Sequence, residues 1–143
     1  MRKILFLPML LAAISILSCN SDDGAKAKNL SGKWALTGGS GTITGRVDAF
    51  STGEITWTFH ENHTVDIVNT VTDTARLSGL PSGTYHYAVS NSSEVQGCST
   101  TVTVGPWTFG CATISSASVE LADGFADGVG YTLIPMPQVV PLQ

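Results

Sequence analysis

Between Ile55 and His60 the chain alternates without a break: Ile55, Trp57 and Phe59 are apolar, and Thr56, Thr58 and His60 are polar. Successive side chains of an extended strand point to opposite sides, so this period of two gathers the three apolar groups on one face. A helix cannot gather them, because helical neighbours recur three and four residues apart. The next strand must match that face. A turn of Glu61-Asn62 alone would oppose Phe59 to Thr64 and Trp57 to Asp66, whereas a loop Glu61-Asn62-His63 opposes Phe59 to Val65 and Trp57 to Ile67. A slip of one residue inverts the buried face, so the longer loop is the one this pattern selects.

The same texture runs from Leu30 onward: Thr, Ser, Val, Ile and aromatics punctuated by Gly, with no long helical period. It predicts an all-β domain over residues 30–134. The expected strands are Gly32 to Thr37, Gly41 to Asp48, Glu54 to His60, Thr64 to Thr72, Gly83 to Ser90, Ser99 to Val104, Trp107 to Ile114, Ser118 to Ala122 and Gly128 to Ile134. A second hairpin centred on Val104-Gly105 pairs Val102 with Trp107, Thr100 with Phe109 and Cys98 with Cys111. Opposed Cα atoms lie about 4.5–5.5 Å apart, a span that a disulfide bridges, so Cys98–Cys111 is expected as a structural bond across that ladder. About eight strands in sequential hairpins, each with one apolar face, close most simply into an antiparallel up-and-down barrel. The alternative is a flattened β-sandwich. The Pro-rich end, residues 135–143, is expected as an extended tail.

Ahead of this domain stand Arg2 and Lys3, an apolar run from Ile4 to Ile14, and small Ser18 before Cys19, the pattern of a secretion signal over residues 1–18. The run is short and Pro8 interrupts it, which argues against a bilayer span of about 20 apolar residues. Ile16-Leu17-Ser18-Cys19 resembles the bacterial lipobox, which implies a diacylglycerol on Cys19 and stable membrane attachment. By the same resemblance, Asn20 after Cys19 favours the outer membrane of a gram-negative envelope. Ser21-Asp22-Asp23-Gly24 is similar to an acidic tag for surface display. Residues 19–29 then read as the lipidated Cys and a flexible tether. With Cys19 acylated, Cys98 and Cys111 remain an even pair for an oxidising compartment.

Charge narrows the function classes. The formal charge is −4, and without Arg2 and Lys3 it becomes −6, with 11 acidic groups facing 5 basic ones. No nucleic-acid partner is expected of such a surface.

Leu30-Ser31-Gly32-Lys33-Trp34-Ala35-Leu36 resembles the Gly-x-Trp signature that opens the first strand of lipocalins. Thr56-Trp57-Thr58-Phe59, Ser82-Gly83-Thr84-Tyr85 and Ala126-Asp127-Gly128-Val129-Gly130-Tyr131-Thr132-Leu133 follow in the matching order. After a lipobox and an acidic tether, this order resembles the small bacterial lipoproteins with a lipocalin-like domain. The resemblance implies a calycin-like barrel that Gly32 and Trp34 plug at one end, usually beneath an Arg or Lys of the last strand. No basic residue follows Arg76, so either Arg46 or Arg76 takes that place from another strand or the plug is apolar.

Other constellations have simpler readings. His60-Glu61-Asn62-His63 suggests a metal, but the derived register puts His60 on the polar face and His63 in the loop, with His86 a remote third. Asp123-Gly124 and Asp127-Gly128 read as turns, since a calcium loop needs six to eight oxygens. No metal and no cofactor are expected. No nucleophile elbow, P-loop or zinc-protease motif occurs, so the chain is not expected to be an enzyme. Asp73-Thr74-Ala75 resembles a bacterial O-glycosylation sequon and places Thr74 in an exposed loop or edge.

The inward-alternating aromatics carry the functional expectation. Trp57, Phe59, Tyr85 and Trp107 are expected to line a cup for a small hydrophobic ligand or lipid, as the lipocalin resemblance implies. The alternative is a solid barrel that contacts a protein or glycan partner as an accessory subunit or inhibitor.

Overall fold

The computed structural model describes residues 29–125 and 127–137. The expected leader, Cys19 and expected tether up to residue 28, together with Ala126 and residues 138–143 of the expected tail, lie outside the described residues. The described chain is all-β. Its strands are β1 (Gly32–Gly41), β2 (Arg46–Ala49), β3 (Ile55–Phe59), β4 (Thr64–Asn69), β5 (Gly83–Ser90), β6 (Thr101–Val104), β7 (Trp107–Phe109), β8 (Cys111–Ile114), β9 (Val119–Ala122) and β10 (Gly130–Pro135). They pair antiparallel in the order β7-β6-β5-β4-β3-β1-β10-β9-β8, with β2 on β1.

The two edges of this sheet, β7 and β8, are consecutive in the chain with only Gly110 between them. They act as one kinked strand, paired first with β6 and then with β9, and so bring the sheet nearly to closure as a barrel. The Ala112 N–H donates to the Thr100 carbonyl at 2.9 Å across the seam. A Cβ on Gly110 would meet Val95 Cγ2 at 2.8 Å and the Asp123 carbonyl oxygen at 3.0 Å, so only glycine lets three segments converge there. Leaving out β2, which pairs with β1 beyond β3, and counting β7 and β8 as one, the other nine strands make eight staves of the barrel.

The first hairpin has the expected register, Phe59 opposite Val65 and Trp57 opposite Ile67. His63 turns the chain with φ 62° and donates its N–H to the His60 carbonyl. The second hairpin departs from expectation: its turn is Gly105-Pro106, and Val102 faces Phe109 while Val104 faces Trp107. Gly105 at φ 53° followed by proline has the dihedral signs of a tight II′-type turn. The shift is two residues, which keeps every side chain on its face; alternation alone is blind to it. Cys98 and Cys111 are therefore not partners on the β6–β7 ladder. Cys111 opens β8, opposite Ala122, and the bond to Cys98, with Cα atoms 5.2 Å apart, crosses the seam instead.

Three strand assignments change as well. The expected strand Gly41 to Asp48 is split by a turn over residues 42–45, making a β1–β2 hairpin, and Trp107 to Ile114 is broken at Gly110. Pro135 belongs to β10 rather than to the tail, and the Met136 N–H still donates to the Lys33 carbonyl. β9 has stopped pairing at Leu133, so the N–H that Pro135 lacks has no ladder to serve.

Leu36, Ile55, Trp57, Val65, Val102, Leu121 and Leu133 fill the interior and are fully buried. The barrel has two distinct ends. At the entry end lie Asn29, the hairpin loop 60–63 and the turn 115–118; at the far end lie loops 42–45, 70–82, 105–106 and 123–129.

Candidate binding site at the far end of the barrel

β7 and β10 each send one aromatic to the far rim. Trp107 and Tyr131 stack with centroids 5.8 Å apart and planes 12° from parallel, while Phe109 stands edge-on to both. Pro106, Trp107, Thr108, Asp123, Val129 and Tyr131 line a groove of about 320 Å³ above them. This is the size of a small-ligand site. Asp123 is committed to its own loop: Oδ1 accepts from the Phe125 N–H at 3.0 Å and Oδ2 from the Val129 N–H at 3.1 Å. Burial pushes the Tyr131 phenol up to about 12, so it is neutral at physiological pH. An aromatic floor with a fixed polar rim suits an apolar body far better than a charged one.

The four residues expected to line one cup are not brought together. Trp57, 0% exposed, and Phe59, 3% exposed, belong to the closed core, so neither lines an open cup. Half-buried Tyr85 covers Gly105 and donates its hydroxyl to the Pro81 carbonyl at 2.9 Å. Trp107 alone of the four lines the groove.

The reason is the β4–β5 connection, residues 70–82, which crosses the far end as a strap. Leu80 inserts into the core, and Gly79, at φ 80°, lies between the two aromatic groups. A Cβ built on Gly79 would sit 3.5 Å from Leu36 Cδ1, 3.7 Å from Trp57 Cζ2 and 3.9 Å from Tyr131 Cε1. The strap is held by polar ties at several points. Asn69 Nδ2 donates to the carbonyls of Ser78 and Leu80 at 2.9 and 3.0 Å. The Leu77 N–H donates to Asp48 Oδ2 at 2.8 Å, and Arg46 grips the same carboxylate through Nε and Nη2. Arg46 and then Leu77 hold the Asp48 carboxyl below the usual carboxylate range. Arg76 lies 4.3 Å over the Phe50 ring and donates to Glu54 Oε1 and the Ala49 carbonyl. Alternation gives no sign of this strap. Gly38-Gly39 on β1 does, since a side chain on Gly39 would fall on the Leu77 carbonyl.

Trp34 is buried at the entry end opposite Trp57, its Nε1 donating to the Leu30 carbonyl at 2.8 Å, with Gly32 two residues earlier at φ 122°. Neither arginine takes the place beside Trp34, because Arg46 and Arg76 are both engaged at the strap. His60 Nε2 pairs with Asp66 Oδ2 at 2.9 Å, His63 lies beside Tyr87, and His86 is exposed on the outer face. Among the described residues no three potential ligands group for a metal ion. Thr74 is exposed in a turn of the strap, where the Ala75 N–H donates to Asp73 Oδ1. Compared with known proteins, the chain matches no family model, no curated protein and no solved structure.

Proposed function

We propose that this chain is a lipid-anchored envelope protein whose barrel binds a small apolar ligand at its far rim. The observation that carries the reading is the Trp107–Tyr131 stack flooring a groove of about 320 Å³. Offset or parallel ring stacks offer large apolar area at little conformational cost, the property a small-molecule site uses. The leader 1–18 and Cys19 support attachment through a diacylglycerol, in the outer membrane and on its surface side. The lipocalin-like signature around Gly32 and Trp34 supports the same reading, with the ligand moved from the interior to the rim. Native mass spectrometry of the full chain, expressed so that Cys98 and Cys111 oxidise, tests it: beyond the covalent acyl mass on Cys19, a non-covalent adduct is expected, and Trp107→Glu abolishes it. A non-covalent adduct that survives Trp107→Glu, or none after incubation with envelope lipid extract, overturns the rim site. Cys19→Ser separately tests the anchor by releasing the chain from membranes.

A second reading has its own observation. Ile43 and Val47 on the β1–β2 hairpin and Phe125 in the neighbouring loop expose 87%, 75% and 78% of their surface. Apolar groups so exposed on adjacent elements fit a contact with a protein partner at the same end, a contact that replacing all three by Ser is expected to abolish.

A further inference from the structure

Beneath the strap lies a buried donor with nothing to bond. Trp57 is 0% exposed, and its Nε1 is, among the described residues, the buried side-chain nitrogen or oxygen that lacks a hydrogen-bond partner. Buried indole N–H groups ordinarily find an acceptor, because leaving one unpaired forfeits its hydration with no return. Cζ2 is bonded to the ring carbon that also carries Nε1, and Cζ2 is the Trp57 atom nearest the Cβ position of Gly79. The donor edge therefore lies next to the strap. The strap has no regular secondary structure, in a hairpin where about two to five residues would suffice, and surplus length of this kind is characteristic of functional loops. Of the strap's apolar side chains Leu80 is buried in the core, and Val71 packs against it half-buried.

We propose that loop 70–82 is a displaceable strap over an inner subsite of the rim groove, in which a neutral carbonyl oxygen of the ligand accepts from Trp57 Nε1. The inference rests on the rim-groove reading and deepens it. When the strap lifts, Leu80 withdraws and the ligand's apolar body takes its place against Leu36 and Tyr131, next to the Trp107 stack. A single N–H donor satisfies a ketone or ester oxygen. It leaves a carboxylate under-solvated in so apolar a setting, so the ligand class is a neutral carbonyl compound with a short hydrocarbon chain rather than a free fatty acid.

The test compares 2-octanone with octane on the full chain. Replacing Trp57 by Phe keeps an aromatic ring and removes the donor: 2-octanone is expected to lose about tenfold in affinity relative to octane, the loss of one hydrogen bond. In the wild-type chain 2-octanone moves the Trp57 indole proton resonance downfield and speeds amide exchange over residues 76–80. This second pair of readouts keeps the proposal falsifiable if Trp57→Phe does not fold. Binding of both molecules that Trp107→Glu weakens, with no carbonyl-specific loss in Trp57→Phe and no change in strap exchange, overturns the inner subsite and leaves the rim groove standing. Failure of both molecules to bind overturns the two together.

Discussion

Gly39 and Leu77 meet backbone to backbone: the position a Gly39 side chain would occupy is taken by the Leu77 carbonyl oxygen and, at 2.9 Å, by Leu77 Cβ. Strap and barrel wall are thus in direct contact at a residue with no side chain to separate them. Gly39→Ala is expected to push the strap off β1 and make residues 70–82 accessible to limited proteolysis while the sheet persists by circular dichroism. Leu80→Ala attacks the same element from inside. It removes a buried side chain and is expected to cost about 2–5 kcal/mol in denaturant unfolding. A cost under about 1 kcal/mol would mean that Leu80 does not seal the interior.

The seam gives a second prediction. Cys98 and Cys111 are 13 residues apart, and closing a loop of that length contributes about 3 kcal/mol in the chain-entropy model. Replacing both by Ser is expected to lower stability by that order and to loosen the β7–β8 junction, where Ser93 Oγ also donates to the Gly110 carbonyl. Faster amide exchange at Ala112 and an altered Trp107 emission check it; a change in stability without either would place the effect outside the seam.

Alkaline titration addresses Tyr131. Its folded pKa, about 12, stands above the unfolded value near 10, so the folded state holds the phenol proton more tightly. The associated stabilisation is complete below about pH 10 and is lost as pH rises toward 12. Ultraviolet absorbance of the chain, which has 3 tyrosines, should show a late ionisation that Tyr131→Phe removes. Full titration near pH 10 before unfolding would contradict the burial of this ring.

Acid acts at the other face of the strap. Asp48 is held below the usual carboxylate range, first by Arg46 and then by the Leu77 N–H, so its contribution is present above the unfolded value near 3.9 and fades as pH falls below it. Exchange over residues 76–80 is expected to accelerate below about pH 4, and Asp48→Asn to show the faster rate already at neutral pH. A strap equally protected in Asp48→Asn would assign its anchoring to Arg76 and Asn69 instead.

Period-two alternation carried the fold class, the β3–β4 register and the sorting of faces, because one residue of slip exposes a whole apolar row. The same logic could not distinguish the two settings of the β6–β7 hairpin, which differ by two residues; Gly105-Pro106 decided between them through its dihedrals. Nor could it foresee that Gly110 breaks one extended segment into the two edges of the sheet, since that break is defined by Val95 and Asp123, remote in sequence and adjacent in space. Trp57 and Phe59 were legible as inward-facing. Whether inward meant pocket or core depended on Leu80, in a loop that alternation does not describe.

The chain enters the barrel at Asn29 beside the 60–63 loop, while the Trp107–Tyr131 groove and the strap crown the opposite end. With the attachment through Cys19 proposed above, the membrane would face the blunt entry end of the molecule. Under that attachment the groove opens on the side away from the membrane, so the proposed ligand would reach it from the medium without passing between protein and membrane.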